Sequence, residues 1–111
     1  MLIFTYPFLF IYGGIMKREN GFQADLIKDI KHQFQGAIVL KNDANYIQGF
    51  PDLTILYKDK WAVLECKKSS NEKHQPNQDE YVERLNGMGY SAFIFPENKK
   101  DILNELHKFF D

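Results

Sequence analysis

Asp52, Glu65 and Lys67 are the residues of this sequence whose types and spacing could do chemistry together. Glu65 and Lys67 alternate with Cys66 in a segment of strand character, so their side chains share one face. Asp52 opens the preceding strand. If the intervening turn centres between Lys58 and Asp59, Asp52 lies directly opposite Glu65, with Cβ atoms about 5 Å apart. A turn centred on Asp59 instead pairs Glu65 with Leu53 and sends Asp52 to the other face. Asp52 follows Pro51 at the strand start, where local twist can re-aim it. In the first register, two carboxylates and an ammonium converge beside Val63, Trp61 and Leu56. Unpaired charge is costly at the edge of an apolar core, so such a cluster asks for a cation.

A third carboxylate is offered by the segment before it. Glu19, Gln23, Leu26 and Ile30 fall within roughly 60° of one another on a helical wheel. Glu19 therefore points with the buried stripe, away from Lys28, Asp29 and Lys31. Hard oxygen ligands in twos and threes suit Mg²⁺ or Mn²⁺. Asp52, Glu65, Glu19 and the backbone carbonyl of Cys66 are the candidate ligands. A metal held there can polarise a phosphate and activate water. Lys67 would position or deprotonate that water, or neutralise the developing charge.

The elements that must position these groups follow from hydrophobic periodicity. Phe22, Leu26, Ile27, Ile30 and Phe34 predict a helix over 19–34, ended by Gly36. A short strand at 37–40 leads into a polar loop at 42–49. Segments 53–57 and 61–67 read as a β-hairpin. A lysine-bearing loop at 69–76 precedes a second helix at 77–86, expected to bury Tyr81, Val82 and Leu85. A strand at 91–95 and an amphipathic helix at 101–110, with Ile102, Leu103, Leu106 and Phe109 inward, complete the chain. Both faces of the hairpin carry apolar residues: Leu53, Ile55 and Leu64 on one, Leu56, Trp61 and Val63 on the other. Helices are therefore expected over both faces. The predicted order is α-β-β-β-α-β-α, an α/β fold with a small mixed sheet flanked by helices.

The chain has 111 residues, 44% of them hydrophobic, which suits one domain with a modest core. No repeat or low-complexity linker suggests a second. The formal charge of −1 does not favour phosphate binding, although a site that collects carboxylates lowers the net charge by itself. The single Cys66 cannot form an internal disulfide, which points to a reducing compartment such as the cytoplasm. His32, His74 and His107 lack metal-ligand spacing, which argues against zinc.

Residues 2–12 read LIFTYPFLFIY, too short to span a bilayer as a helix and without the features of a secretory signal. A buried N-terminal strand or a membrane-surface anchor are two readings. A third is that residues 1–15 are translated upstream sequence. Gly13-Gly14 can be encoded as GGAGGA, which resembles a bacterial ribosome-binding sequence just before an ATG at Met16. On that reading the natural protein starts at Met16 and the domain spans 16–111, with no membrane association.

Gly49-Phe50-Pro51-Asp52 followed by Glu65-Cys66-Lys67 resembles the PD-(D/E)XK nuclease superfamily. More narrowly, it is similar to the virus-type replication-repair nuclease (VRR-Nuc) family. That family carries Glu-x-x-x-Gln on a helix, then Gly-x-Pro-Asp, Glu-x-Lys and a Gln opening the next helix. Here these match Glu19/Gln23, Gly49/Pro51/Asp52, Glu65/Lys67 and Gln78 in turn, across roughly residues 16–96. The resemblance implies a restriction-endonuclease-like fold and Mg²⁺-dependent hydrolysis of DNA phosphodiesters. It also implies a phage or bacterial origin, with homodimers acting on branched DNA such as four-way junctions, in repair or recombination. No small-molecule cofactor is implied.

Gln23 and Gln78 are then supporting residues, while Lys41, Lys68 and Lys73 are candidates for touching phosphates, although such lysines are more often simply solvated. Tyr81 and Tyr90 could stack on bases or pack in the core. Three alternatives to a junction-cutting endonuclease stand open: a nicking or flap nuclease, a restriction-type enzyme, and a catalytically silent DNA-binding module. Complete Asp, Glu and Lys positions argue against the last.

Overall fold

The computed structural model describes residues 20–111. Glu19 and residues 1–15 lie outside the described residues, and with them the expectations placed there. The element order is α1 (Asn20–Gln33), β1 (Ile38–Lys41), β2 (Leu53–Tyr57), β3 (Lys60–Cys66), α2 (Gln78–Met88), β4 (Tyr90–Ile94) and α3 (Lys99–Phe110). This is the order predicted from periodicity. No helix among the described residues is long and apolar enough to cross a membrane.

The sheet has strand order β1-β2-β3-β4. Its first two pairings are antiparallel and need only short connections. The third, β3 with β4, is parallel. A parallel pair requires a crossover, and α2 provides it. The hairpin register runs from Leu53 opposite Leu64 to Tyr57 opposite Lys60. Lys58 and Asp59 therefore form a two-residue turn, with Lys58 at φ 57°. A positive φ at the first turn residue matches the twist of the flanking strands. This is the register that sets Asp52 across from Glu65; the turn centred on Asp59 does not form.

The main core lies on one face of the sheet. Leu26, Ile30 and Phe34 meet Leu53, Ile55, Ala62, Leu64 and Ile94, and Ile102, Leu103, Leu106 and Phe110 close it from α3. Phe110, rather than Phe109, supplies the last fully buried residue of α3, while Phe109 is half-buried against the cluster. A complete helical turn beyond Leu106 brings Phe110 back over the sheet, and its ring packs edge-on against Phe34 and Tyr57.

The opposite face departs from the expectation of full cover. α2 packs mainly on β4 and β3. Ile38, Leu40 and Leu56 remain exposed on the β1–β2 half. Correspondingly, no residue of α2 is fully buried, and Tyr81, Val82 and Leu85 are only half-buried. One helix of this length covers two strands, whereas α1 and α3 together cover the other face.

Candidate active site

Asp52 sits one step beyond the last β2–β3 pair, at the strand start that Pro51 creates. Its Oδ2 accepts the Cys66 N–H at 2.9 Å, tying it to the strand that carries Glu65. The Asn42 side chain reinforces this end of the sheet by donating to the Pro51 carbonyl and to Thr54 Oγ1, both at 2.9 Å. The Asn42 N–H donates to the Asp52 carbonyl at 2.8 Å. Asp52 is thus held from both sides of β2.

Glu65 is only 4% exposed, and among the described residues its Oε1 has no hydrogen-bond partner. Burial pushes its carboxyl up to about 8, the neighbouring Asp52 charge adds to the rise, and Lys67 offsets part of it. Burial also raises Asp52, against the lowering effect of the Cys66 N–H. The two carboxyls therefore resist simultaneous ionisation, as neighbours in a dry site must. A cation between them would replace the retained proton, and the orphaned Oε1 is a lone pair ready for it. The donor set thus fits a hard divalent cation. Among the described residues no third His, Cys, Asp or Glu completes a ligand cluster.

Lys67 is also 4% exposed. Its Nζ donates to Gln78 Oε1 at 2.7 Å and to the Lys73 carbonyl at 3.1 Å, and lies 4.0 Å from Glu65 Oε2. The other end of the same carboxamide, Gln78 Nε2, donates to Glu65 Oε2 at 2.9 Å. An ammonium can only donate, so the Gln78 oxygen must face Lys67 and its NH₂ is left to face Glu65. Gln78 is therefore the bridge between Glu65 and Lys67.

These groups line a cleft of about 230 Å³ at the end of the strands. Gln23 and Phe22 enter it from α1, and Lys68 from the loop after β3. Gln23 lines the cleft beside Cys66, whose thiol is pushed up to about 12 by burial and the Asp52 charge together. Such a thiol is inert as a nucleophile. Lys41 is exposed on edge strand β1 and does not line the cleft. Lys73 contributes its carbonyl to Lys67, and its exposed side chain lies outside the cleft. Tyr81 packs edge-on against Phe50, and Tyr90 donates to Glu105 beside Phe109, so both aromatics serve packing.

Two lining residues escape sequence reasoning. Glu72 hydrogen-bonds the Lys68 N–H and adds negative charge near Asp52. The Gln75 N–H donates to Gln78 Oε1 at 2.8 Å. Both belong to an irregular loop, where no periodicity marks an inward side chain.

No family model matches the chain, and no curated protein matches it. Solved structures do, among them the following two. One named "VRR_NUC domain protein" superposes with a TM-score of 0.61 at 21% identity, covering 82% of this chain and 86% of its own. Another, named "VRR_NUC domain", gives a TM-score of 0.56 at 24% identity, covering 73% and 92% respectively. The chain shares the fold of these domains: a small mixed four-stranded sheet with flanking helices. The printed names of both solved structures carry the family that the motifs resemble.

Proposed function

We propose that the chain is a VRR-Nuc nuclease that hydrolyses DNA phosphodiesters with a divalent cation, selecting branched DNA. The observation that carries this reading is the Asp52–Glu65 pair: Glu65 is buried, its Oε1 has no partner among the described residues, and its Oε2 lies 4.0 Å from the Lys67 ammonium. Asp52, Glu65, the Cys66 carbonyl and Glu19 are the groups assigned to hold Mg²⁺ or Mn²⁺. When bound, the metal would polarise the scissile phosphate and lower the pKa of an attacking water.

The chain's own residues do the rest. Asp52 and Glu65 give up the proton they retain and present oxygen ligands from adjacent strands. Lys67 has three N–H bonds, of which Gln78 and the Lys73 carbonyl take two. The third is available to a phosphate oxygen or to water. Gln78 keeps the ammonium from collapsing onto Glu65, so the charge stays directed at the substrate.

Selection by DNA shape is favoured by economy: the described residues form the sheet, its three helices and their connecting loops, with no added base-reading module among them. A homodimer would place two such sites about a two-fold axis and cut symmetric strands. Cleavage of a four-way junction, a flap and a linear duplex in Mg²⁺, Mn²⁺ or EDTA tests the reading. Metal-dependent cutting with the junction preferred supports it. Absence of cutting on every substrate with metal present sinks it, and a Glu65→Ala variant that cuts normally overturns the site.

A further inference from the structure

The loop between β3 and α2 returns over the site and delivers the Lys73 carbonyl to the Lys67 ammonium. That carbonyl is part of a rigid peptide plane whose other half is the His74 N–H and Cα. Whatever fixes His74 therefore fixes the direction of the acceptor. Two contacts fix it, from two different elements. The His74 ring stacks on Phe93 with centroids 4.1 Å apart and planes at 18°. Phe93 is the β4 residue paired with Glu65. His74 Nδ1 lies 2.6 Å from Asp79 Oδ1 in the first turn of α2. An ionised carboxylate can only accept, so Nδ1 carries the hydrogen.

We propose that His74 is a positioning residue for Lys67: its ring, held by Phe93 and Asp79, sets the Lys73 carbonyl that orients the ammonium. The idea rests on the nuclease reading for its catalytic consequence, but its structural part does not. The His74 side chain is 39% exposed and the Lys67 side chain only 3%. Removing a partly exposed ring costs little core packing, while the buried ammonium loses a fixed acceptor.

The test reads Lys67 directly. In the ¹H–¹⁵N spectrum of the full chain, the hydrogen-bonded Lys67 ammonium gives a signal assigned by its loss in Lys67→Arg. Expected are broadening or loss of that signal in His74→Ala, retention in His74→Phe, which keeps the stack, and an unchanged metal affinity measured with Mn²⁺. In cleavage assays His74→Ala should lower kcat about tenfold with KM unchanged, as small misplacements of a catalytic group do. If His74→Ala does not fold, His74→Gln, which keeps a donor and removes the ring, takes its place. An intact ammonium signal in the variant that folds overturns the proposal, whether or not cleavage falls. A wild-type chain that shows the signal and its loss on substitution yet cuts no DNA defeats the nuclease reading alone.

Discussion

Gln78 Nε2 donates to Glu65 Oε2 at 2.9 Å, joining the first turn of α2 to the most buried carboxylate of the site. The same side chain takes the Lys67 ammonium on its oxygen at 2.7 Å. One amide therefore sets the spacing between the acid and the base of the candidate centre.

Gln78→Ala is expected to reduce cleavage by about ten- to a hundred-fold, the usual effect of removing a partner that orients a ligand. Single-turnover kinetics at saturating Mg²⁺ measure it. Gln78→Glu should be at least as damaging, because a second carboxylate would face Glu65. Wild-type rates in both variants would remove Gln78 from the site.

Lys67→Ala should keep cation binding yet lose hydrolysis by about a hundred-fold or more. Mn²⁺ titration followed by electron paramagnetic resonance separates the two effects. Lys67→Arg is not expected to rescue: the planar guanidinium is larger than the ammonium, and Lys67 is 4% exposed and held between Gln78 and the Lys73 carbonyl.

The raised Glu65 carboxyl has a consequence for stability in the metal-free protein. The folded chain keeps this proton up to about 8, whereas the ordinary value is 4.5. Between those values the folded state binds more protons than the unfolded one, so this group's contribution to stability falls as pH rises. Below the lower value and above the upper one, that contribution no longer changes with pH. Thermal melts in EDTA from about pH 5 to about pH 9 should show wild type losing stability relative to Glu65→Gln. A wild-type advantage that grows with pH contradicts this. Added Mg²⁺ should stabilise most at the alkaline end, where it no longer competes with the proton.

Gly49→Ala should destabilise the fold by about 2 kcal/mol or more. Gly49 has φ 88°, and an added Cβ would lie 2.7 Å from the Pro76 carbonyl oxygen and from Asn77 Cβ. The backbone of the β1–β2 loop and the segment entering α2 are pressed together there. Urea denaturation measures the loss; a stability change within error would show that the two loops can separate freely.

Much of this fold is legible in the amino-acid sequence alone. The spacing of Leu26, Ile30 and Phe34 marks the inner face of α1, and the residues around Lys58-Asp59 mark a hairpin, although its register stays open in the sequence between the turn that sets Asp52 opposite Glu65 and the one centred on Asp59. Both rest on local rules: a helical period and a tight turn. The cover of the second sheet face was harder, because an apolar stripe such as Tyr81, Val82 and Leu85 does not say how many strands it will span. Glu72, Gln75 and the Lys73 carbonyl were out of reach for another reason. Their loop is shaped by distant contacts, His74 on Phe93 and Gly49 against Asn77, which no window of neighbouring residues contains. Glu19 belongs to the part of the site argued from the helical wheel and the motif alone.

Asp52, Glu65, Lys67 and Gln78 all lie within one hairpin, one loop and the opening turn of one helix. Assembling them needs only short loop closures, whose entropic cost is small and nearly independent of the remaining chain. Drift in α1 and α3 can therefore repack the core without disturbing the relative placement of these four side chains. A centre organised this way can tolerate wide sequence change around it; the fold itself is shared with solved structures at 21% and 24% identity.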